Sequence, residues 1–451
     1  MANKERLNHY PSIFIHGFEG YGCYDKTDYV MHYWGMFRGD LMKHLRDQGY
    51  EVYNPSVGPF HSGWDRSCEL YAILKGGTVD YGKVHSEKYG HARYGRTYPG
   101  ILKDWGEEGP HKKINILGHS FGGPTVLAFS ELLYNGSEEE RAGTPADELS
   151  PLFEGGHDWL HTATTMSGVN NGTTVATILG NKPADFLTDV ILGIVTAVAN
   201  TNFSKWYDPH LDIWGVMDEP AKLSNREFRN PLPYMKGVKR YAANRVDNIL
   251  HEMMVPVCFE INGMRKGITG SNAYYFCRRG NRTHYSNGMQ LPNKNMCLLM
   301  MAASSIVNIN RSKTLKKNYG FDKTWLPSDG LVNVPGQSAP LNQPSIDATS
   351  EDMDFKPGIW YNMPVEDKDH MSWMGYRERI QPYYDYFDNL METFASLPDG
   401  DDLKACVCMQ KAPCGCRALS ITIGVLKTKC ASPQKEGTQD GKTHYFMAAQ
   451  G

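Results

Sequence analysis

In this 451-residue chain the segment Gly118-His119-Ser120-Phe121-Gly122 fits G-x-S-x-G, the pattern in which a serine sits on a strained strand-to-helix turn. The glycines relieve crowding where the chain doubles back, so the hydroxyl is held out as a nucleophile. A serine needs a base, and the base an orienting carboxylate; after such a turn the expected chain order is acid, then histidine. Asp329, in Ser328-Asp329-Gly330-Leu331-Val332-Asn333, and His370, in Asp367-Lys368-Asp369-His370, fit that order. Locally each also reads as something plainer, an ordinary turn and a surface-loop histidine. Attack on a carbonyl further requires N–H donors for the developing oxyanion. Phe121, after the nucleophile, and Phe18, after the early Gly-rich loop His16-Gly17, occupy the places from which they come.

A second group offers metal chemistry. Asp65, His85 and His91 lie in a segment rich in Gly, Tyr and charge. The two histidines are six residues apart, about 240° on a helical wheel, so they converge only if the segment bends, which Gly90 permits. Solvated histidines are the plainer reading. Asp212, in Leu211-Asp212-Ile213-Trp214-Gly215, could complete a four-ligand N/O set suited to zinc, although spacing alone does not select it.

These side chains need a scaffold, and the sequence offers one. Ser12–Ile15 is a short apolar run ending at His16-Gly17, and Ile114–Leu117 leads into the Ser120 turn and a helical stretch closed by Asn135-Gly136. Asp40–Asp47 reads as a helix stopped at Gly49, and Glu51–Val57 as a strand. Such alternation predicts an α/β chain with a mostly parallel central sheet and helices on both faces. A segment between Asn181 and Asn244 changes character; Phe186, Leu187, Val190, Ile191, Ile194 and Val198 recur at helical spacing there, as a core helix or as a cover over the site. A last helix is expected over Tyr376–Leu397. A boundary follows near residue 398, after which five of the ten cysteines fall between Cys406 and Cys430. This tail, with its C-x-C…C-x-C pattern, reads as a poorly ordered extension.

The charge balance, 47 Lys+Arg against 50 Asp+Glu for a formal −3, argues against nucleic acid as the main partner. No apolar run reaches the length of a membrane span, and Met1–Tyr10 lacks the apolar core of a signal peptide. The compartment is left open, since a processed secreted form would look the same.

The chain resembles the thermoalkalophilic Bacillus-type and staphylococcal true lipases. The resemblance rests on His16-Gly17-Phe18, Tyr33-Trp34-Gly35, Trp64-Asp65-Arg66 through Gly76-Gly77-Thr78-Val79-Asp80-Tyr81-Gly82, His91-Ala92-Arg93-Tyr94-Gly95-Arg96-Thr97-Tyr98, Ser150–His157 and Asp329-Gly330, between about residues 11 and 397. It implies an α/β-hydrolase fold with a zinc-binding insertion at about 60–100 and a helical lid at about 175–245. It implies a triacylglycerol lipase or carboxylester hydrolase working at a lipid–water interface, with Ser120 as nucleophile, His370 as base, Asp329 as acid, and Phe18 and Phe121 as oxyanion donors. Esterase or acyltransferase activity on other lipid esters, or a non-catalytic lipid-binding role, are the alternatives. The resemblance also implies structural zinc on Asp65, His85, His91 and Asp212. Calcium is doubtful: Ser372 and Arg377 stand where the family has acids, although Gly267 matches the family's backbone ligand.

Overall fold

The computed structural model describes residues 5–179, 206–215 and 236–401, apart from 238, 242, 244, 245, 288 and 309–320. The helix expected around Asp185–Val198, most of the lid segment, and the cysteine-containing tail lie outside these residues. Eleven strands are described: β1 (Ser12–Ile15), β2 (Val52–Tyr53), β3 (Gly77–Asp80), β4 (Tyr94–Tyr98), β5 (Ile114–His119), β6 (Leu160–Met166), β7 (Tyr274–Gly280), β8 (Thr283–Ser286), β9 (Met289–Pro292), β10 (Ser345–Asp347) and β11 (Trp360–Glu366). Seven form one sheet in the order β10-β11-β7-β6-β5-β1-β2, and every pairing in it is parallel. Parallel strands need crossover connections, so this order requires helices on both faces.

Alternation along the central strands builds two cores. Ile13 and Ile15 of β1, Ile114 and Ile116 of β5, and Tyr275 and Cys277 of β7 face one layer, with the helices Gly63–Lys75 and Gly122–Asn135. Phe14, Leu117, Tyr274 and Phe276 face the other, against the helices Leu41–Asp47 and Ile380–Ser396. Successive side chains of a strand point to opposite faces, so a strand buried on both sides reads as an unbroken apolar run. This is an α/β-hydrolase fold.

The local readings differ from the structure at their edges. Asp40 is the N-cap of its helix, accepting from Lys43 N at 2.9 Å, rather than its first residue. The strand expected over Glu51–Val57 shrinks to Val52–Tyr53, because β2 is the edge strand and beyond it Asn54 O is taken by Cys23 N and Pro55 has no N–H to give. Val255–Met264 forms a helix. Just past the expected boundary at 398, Asp399 pairs with the buried Lys113 Nζ at 2.6 Å, so residues 399–401 still belong to the folded unit.

Candidate active site

β5 delivers Ser120 into the turn before the helix Gly122–Asn135, and Ser120 takes φ +59°, a left-handed conformation that costs a side-chain-bearing residue energy. The site is crowded on purpose-built glycines: a Cβ on Gly122 would lie 2.6 Å from Ile15 O, and one on Gly17 would lie 2.6 Å from Ser120 Cβ. The loop after β1 therefore passes directly against the serine. No described residue accepts a hydrogen bond from the backbone N–H of Phe18 or Phe121, and the helix beginning at Gly122 adds its positive end. Arg66, fully buried, pins this corner by donating to Thr125 Oγ1 (2.7 Å), Gly58 O (2.8 Å) and His16 O. Burial pushes its guanidinium down only to about 10, so it remains cationic.

His370 opens a short 3-10 turn after β11, with Asp369 as its N-cap. Asp329 lies in the turn Ser328–Asn333, fully buried; its Oδ1 accepts from Leu331 N (2.9 Å) and Val332 N (2.7 Å), which leaves Oδ2 facing His370 Nδ1 at 2.7 Å. A backbone bond from His370 N to Asp329 O (2.9 Å) fixes the same pair. Neither the plain turn nor the surface histidine survives: both residues are buried and face each other.

His119 links the two halves. Gly17 N–H donates to Tyr33 Oη (2.8 Å), Tyr33 O–H is then directed to His119 Nδ1 (2.8 Å), and His119 Nε2 donates to His370 O (2.9 Å). Burial, with His370 beside it, holds the His119 imidazole well below its usual range, so it stays neutral in this chain of bonds. An apolar wall of Phe121, Val169, Ile249, Met253 and Val332, with Phe18 against it, completes the surroundings.

The second cluster is Asp65, His85, His91 and Asp247, whose ligand atoms all lie within 4.8 Å of one another. His85 Nε2 is 3.2 Å from Asp65 Oδ1 and 3.4 Å from Asp247 Oδ2; His91 Nε2 is 3.5 Å from Asp247 Oδ2. Both oxygens of Asp65 and the Nε2 atoms of both histidines are buried and make no hydrogen bond among the described residues. Burial disfavours a charged His85, yet Asp247 and Asp65 outweigh it and raise its imidazole to about 10. His91 Nδ1 donates to Ala92 O (2.9 Å), which turns Nε2 toward the cluster. Four convergent, buried N/O donors fit a metal ion.

Residues 8–398 match the family model described as lipase-like, C-terminal domain. The chain belongs to that family. Within it, the chain is 33% identical over 383 residues to a Staphylococcus epidermidis lipase, covering 82% of this chain and 51% of that protein. It is 31% identical over 402 residues to lipase 1 of Staphylococcus aureus, covering 86% and 55%. The chain thus spans about half the length of these curated relatives. Among solved structures it is similar to Staphylococcus hyicus lipase (TM-score 0.75, 26% identity, 90% of this chain and 99% of that one) and to EstA of Clostridium botulinum (TM-score 0.73, 32% identity, 88% and 89%).

One sequence expectation for this lipase-like chain is corrected. Asp212 is not in the metal cluster: Arg96 takes its Oδ1 at 2.6 Å and also pairs with Asp208, also at 2.6 Å. Residues 211–214 still line the site, with the Trp214 ring 5.0 Å from His91, but the fourth carboxylate is Asp247. Asp247 precedes the helix Ile249–Glu252, and no spacing signal in the sequence marks it. The residues weighed for calcium have other partners. Gly267 lies against Gln343 and bonds to Asn135 and Glu131, whereas Ser372 Oγ is engaged with Asp369 and Arg282.

Proposed function

We propose that this chain is a serine carboxylester hydrolase acting on acylglycerols. The observation that carries the reading is the buried Asp329–His370 pair, closed at 2.7 Å beside the left-handed turn that holds Ser120. Ser120 Oγ attacks the ester carbonyl while His370 takes its proton; Asp329 keeps the His370 Nδ1 proton in place and steadies the imidazolium. The tetrahedral oxyanion accepts from the N–H groups of Phe18 and Phe121. His370 then protonates the departing alcohol, and water cleaves the acyl-enzyme by the same route. The staphylococcal relatives named lipases support acylglycerols as the substrate class.

Asp65, His85, His91 and Asp247 would hold zinc, as two imidazoles and two carboxylates suit its tetrahedral preference. Bound there, zinc would supply a structural crosslink, because four protein ligands leave no position for a reactive water. The test of the whole reading is hydrolysis of triglycerides of graded chain length with Ser120→Ala as blank. Turnover of short soluble esters alone would make the chain an esterase, and equal turnover by the blank would remove the mechanism.

A further inference from the structure

Arg282 follows β7, is 7% exposed, and is bonded in two directions. Its backbone N–H donates to Ser328 O at 3.0 Å, the residue immediately before Asp329. Its guanidinium reaches into the loop that carries His370. Nε donates to Asp367 Oδ1 (3.3 Å); one terminal nitrogen donates to Asp369 Oδ2 (3.3 Å) and Ser372 Oγ (2.9 Å); the other donates to Asp367 O (2.7 Å) and Glu378 Oε1 (3.3 Å). The contacts bracket His370 on both sides, and three carboxylates converge on one cation. Asp369 is the most constrained of them: it also caps the His370 turn through Met371 N and Ser372 N, and accepts from Cys297 N.

We propose that Arg282 is a positioning residue for ester hydrolysis, an internal cation that clamps the base-bearing loop to the acid-bearing turn and thereby sets the His370–Asp329 geometry. The proposal rests on His370 serving as the general base. Nothing smaller does this job, because only a guanidinium offers five donors in a fixed plane with a permanent charge. Without it the buried Asp369 would lose its cation, and a buried carboxylate left without its partner is costly, whereas Asp367 and Glu378 still reach solvent. Misplacement of a base by a fraction of an ångström is enough to slow proton transfer.

The test uses the full chain and a soluble short-chain p-nitrophenyl ester, with kcat, KM, the pH profile of kcat/KM and melting temperature measured for Arg282→Gln and Arg282→Lys. Arg282→Gln is expected to lower kcat roughly 10- to 100-fold with KM changed less than about twofold. Its acid limb should move to higher pH. Of the groups around His370, Asp329 and neutral His119 are unchanged, while Asp367, Asp369 and Glu378 lose their cation and favour the imidazolium. Arg282→Lys should recover part of the rate and most of the limb. A folded Arg282→Gln with wild-type kcat and an unmoved limb overturns the proposal, as does a loss that only tracks the melted fraction. Should the Gln variant not fold, the Lys variant decides: lower kcat at constant KM supports the clamp, and wild-type kcat overturns it. Ser120→Ala serves as the control, since hydrolysis persisting there removes the catalytic reading itself rather than the role of Arg282.

Discussion

Ser120 holds a backbone conformation that favours glycine, and its proposed role as nucleophile accounts for a serine being kept there. Ser120→Ala should therefore fold normally, with an unchanged melting temperature, while ester hydrolysis falls on the order of 10⁴-fold or more. Tyr33 presents the opposite case. Its hydroxyl accepts from Gly17 N–H and serves His119, so Tyr33→Phe leaves a buried donor in the Phe18 loop without its partner. The expected result is a loss of about 1–3 kcal/mol in unfolding free energy together with a lower kcat. Denaturant melts and steady-state kinetics read the two effects separately, and a variant as stable and as fast as wild type would show that the Gly17–Tyr33–His119–His370 connection carries no weight.

Helices and loops matter here through what they bring together. The metal cluster draws Asp65 from the helix Gly63–Lys75, His85 from the helix Lys83–Tyr89, His91 from the loop after it, and Asp247 from a segment more than 150 residues later in the chain. A ligand shell that joins elements so distant in sequence stabilises the native arrangement by binding only to it. Chelation of the purified protein should lower its melting temperature by at least about 5 °C, before activity at room temperature changes. Asp247→Asn should reproduce that loss and release metal. Asp212→Asn should retain metal, since Asp212 answers to Arg96. Retention of metal by the first variant, or its loss in the second, would restore Asp212 as the ligand and overturn the assignment made from the geometry.

Across the whole molecule, the sheet buries several histidines that stay neutral. His119 ends β5, His161 lies in β6 and His16 directly follows β1, and burial is the leading cause that lowers each; His161 is held at about 4. Unfolding exposes them to their ordinary value near 6.5, where the unfolded chain binds protons the native one does not. Their contribution is complete above pH 6.5 and is lost as pH falls from there toward 4. Melting temperature should decline over that window, and His161→Gln should flatten part of the decline; a protein equally stable at pH 7.5 and 4.5 would contradict this. The sequence by itself determined the parallel sheet, because β1 and β5 are short, mainly apolar runs ending in glycine turns, and it determined the serine turn, whose glycines and strand-to-helix order are local properties. Asp329 and His370 were legible as candidates through chain order and the family resemblance, since otherwise nothing near either residue in sequence distinguishes it from a loop. Tertiary structure alone decided that they face each other, that Asp247 rather than Asp212 joins the metal cluster, and that Arg282 spans both loops. The reason is physical: a turn is fixed by the few residues within it, whereas a carboxylate's partner is whichever cation or imidazole the folded chain brings within about 3 Å, and Arg96 reached Asp212 first.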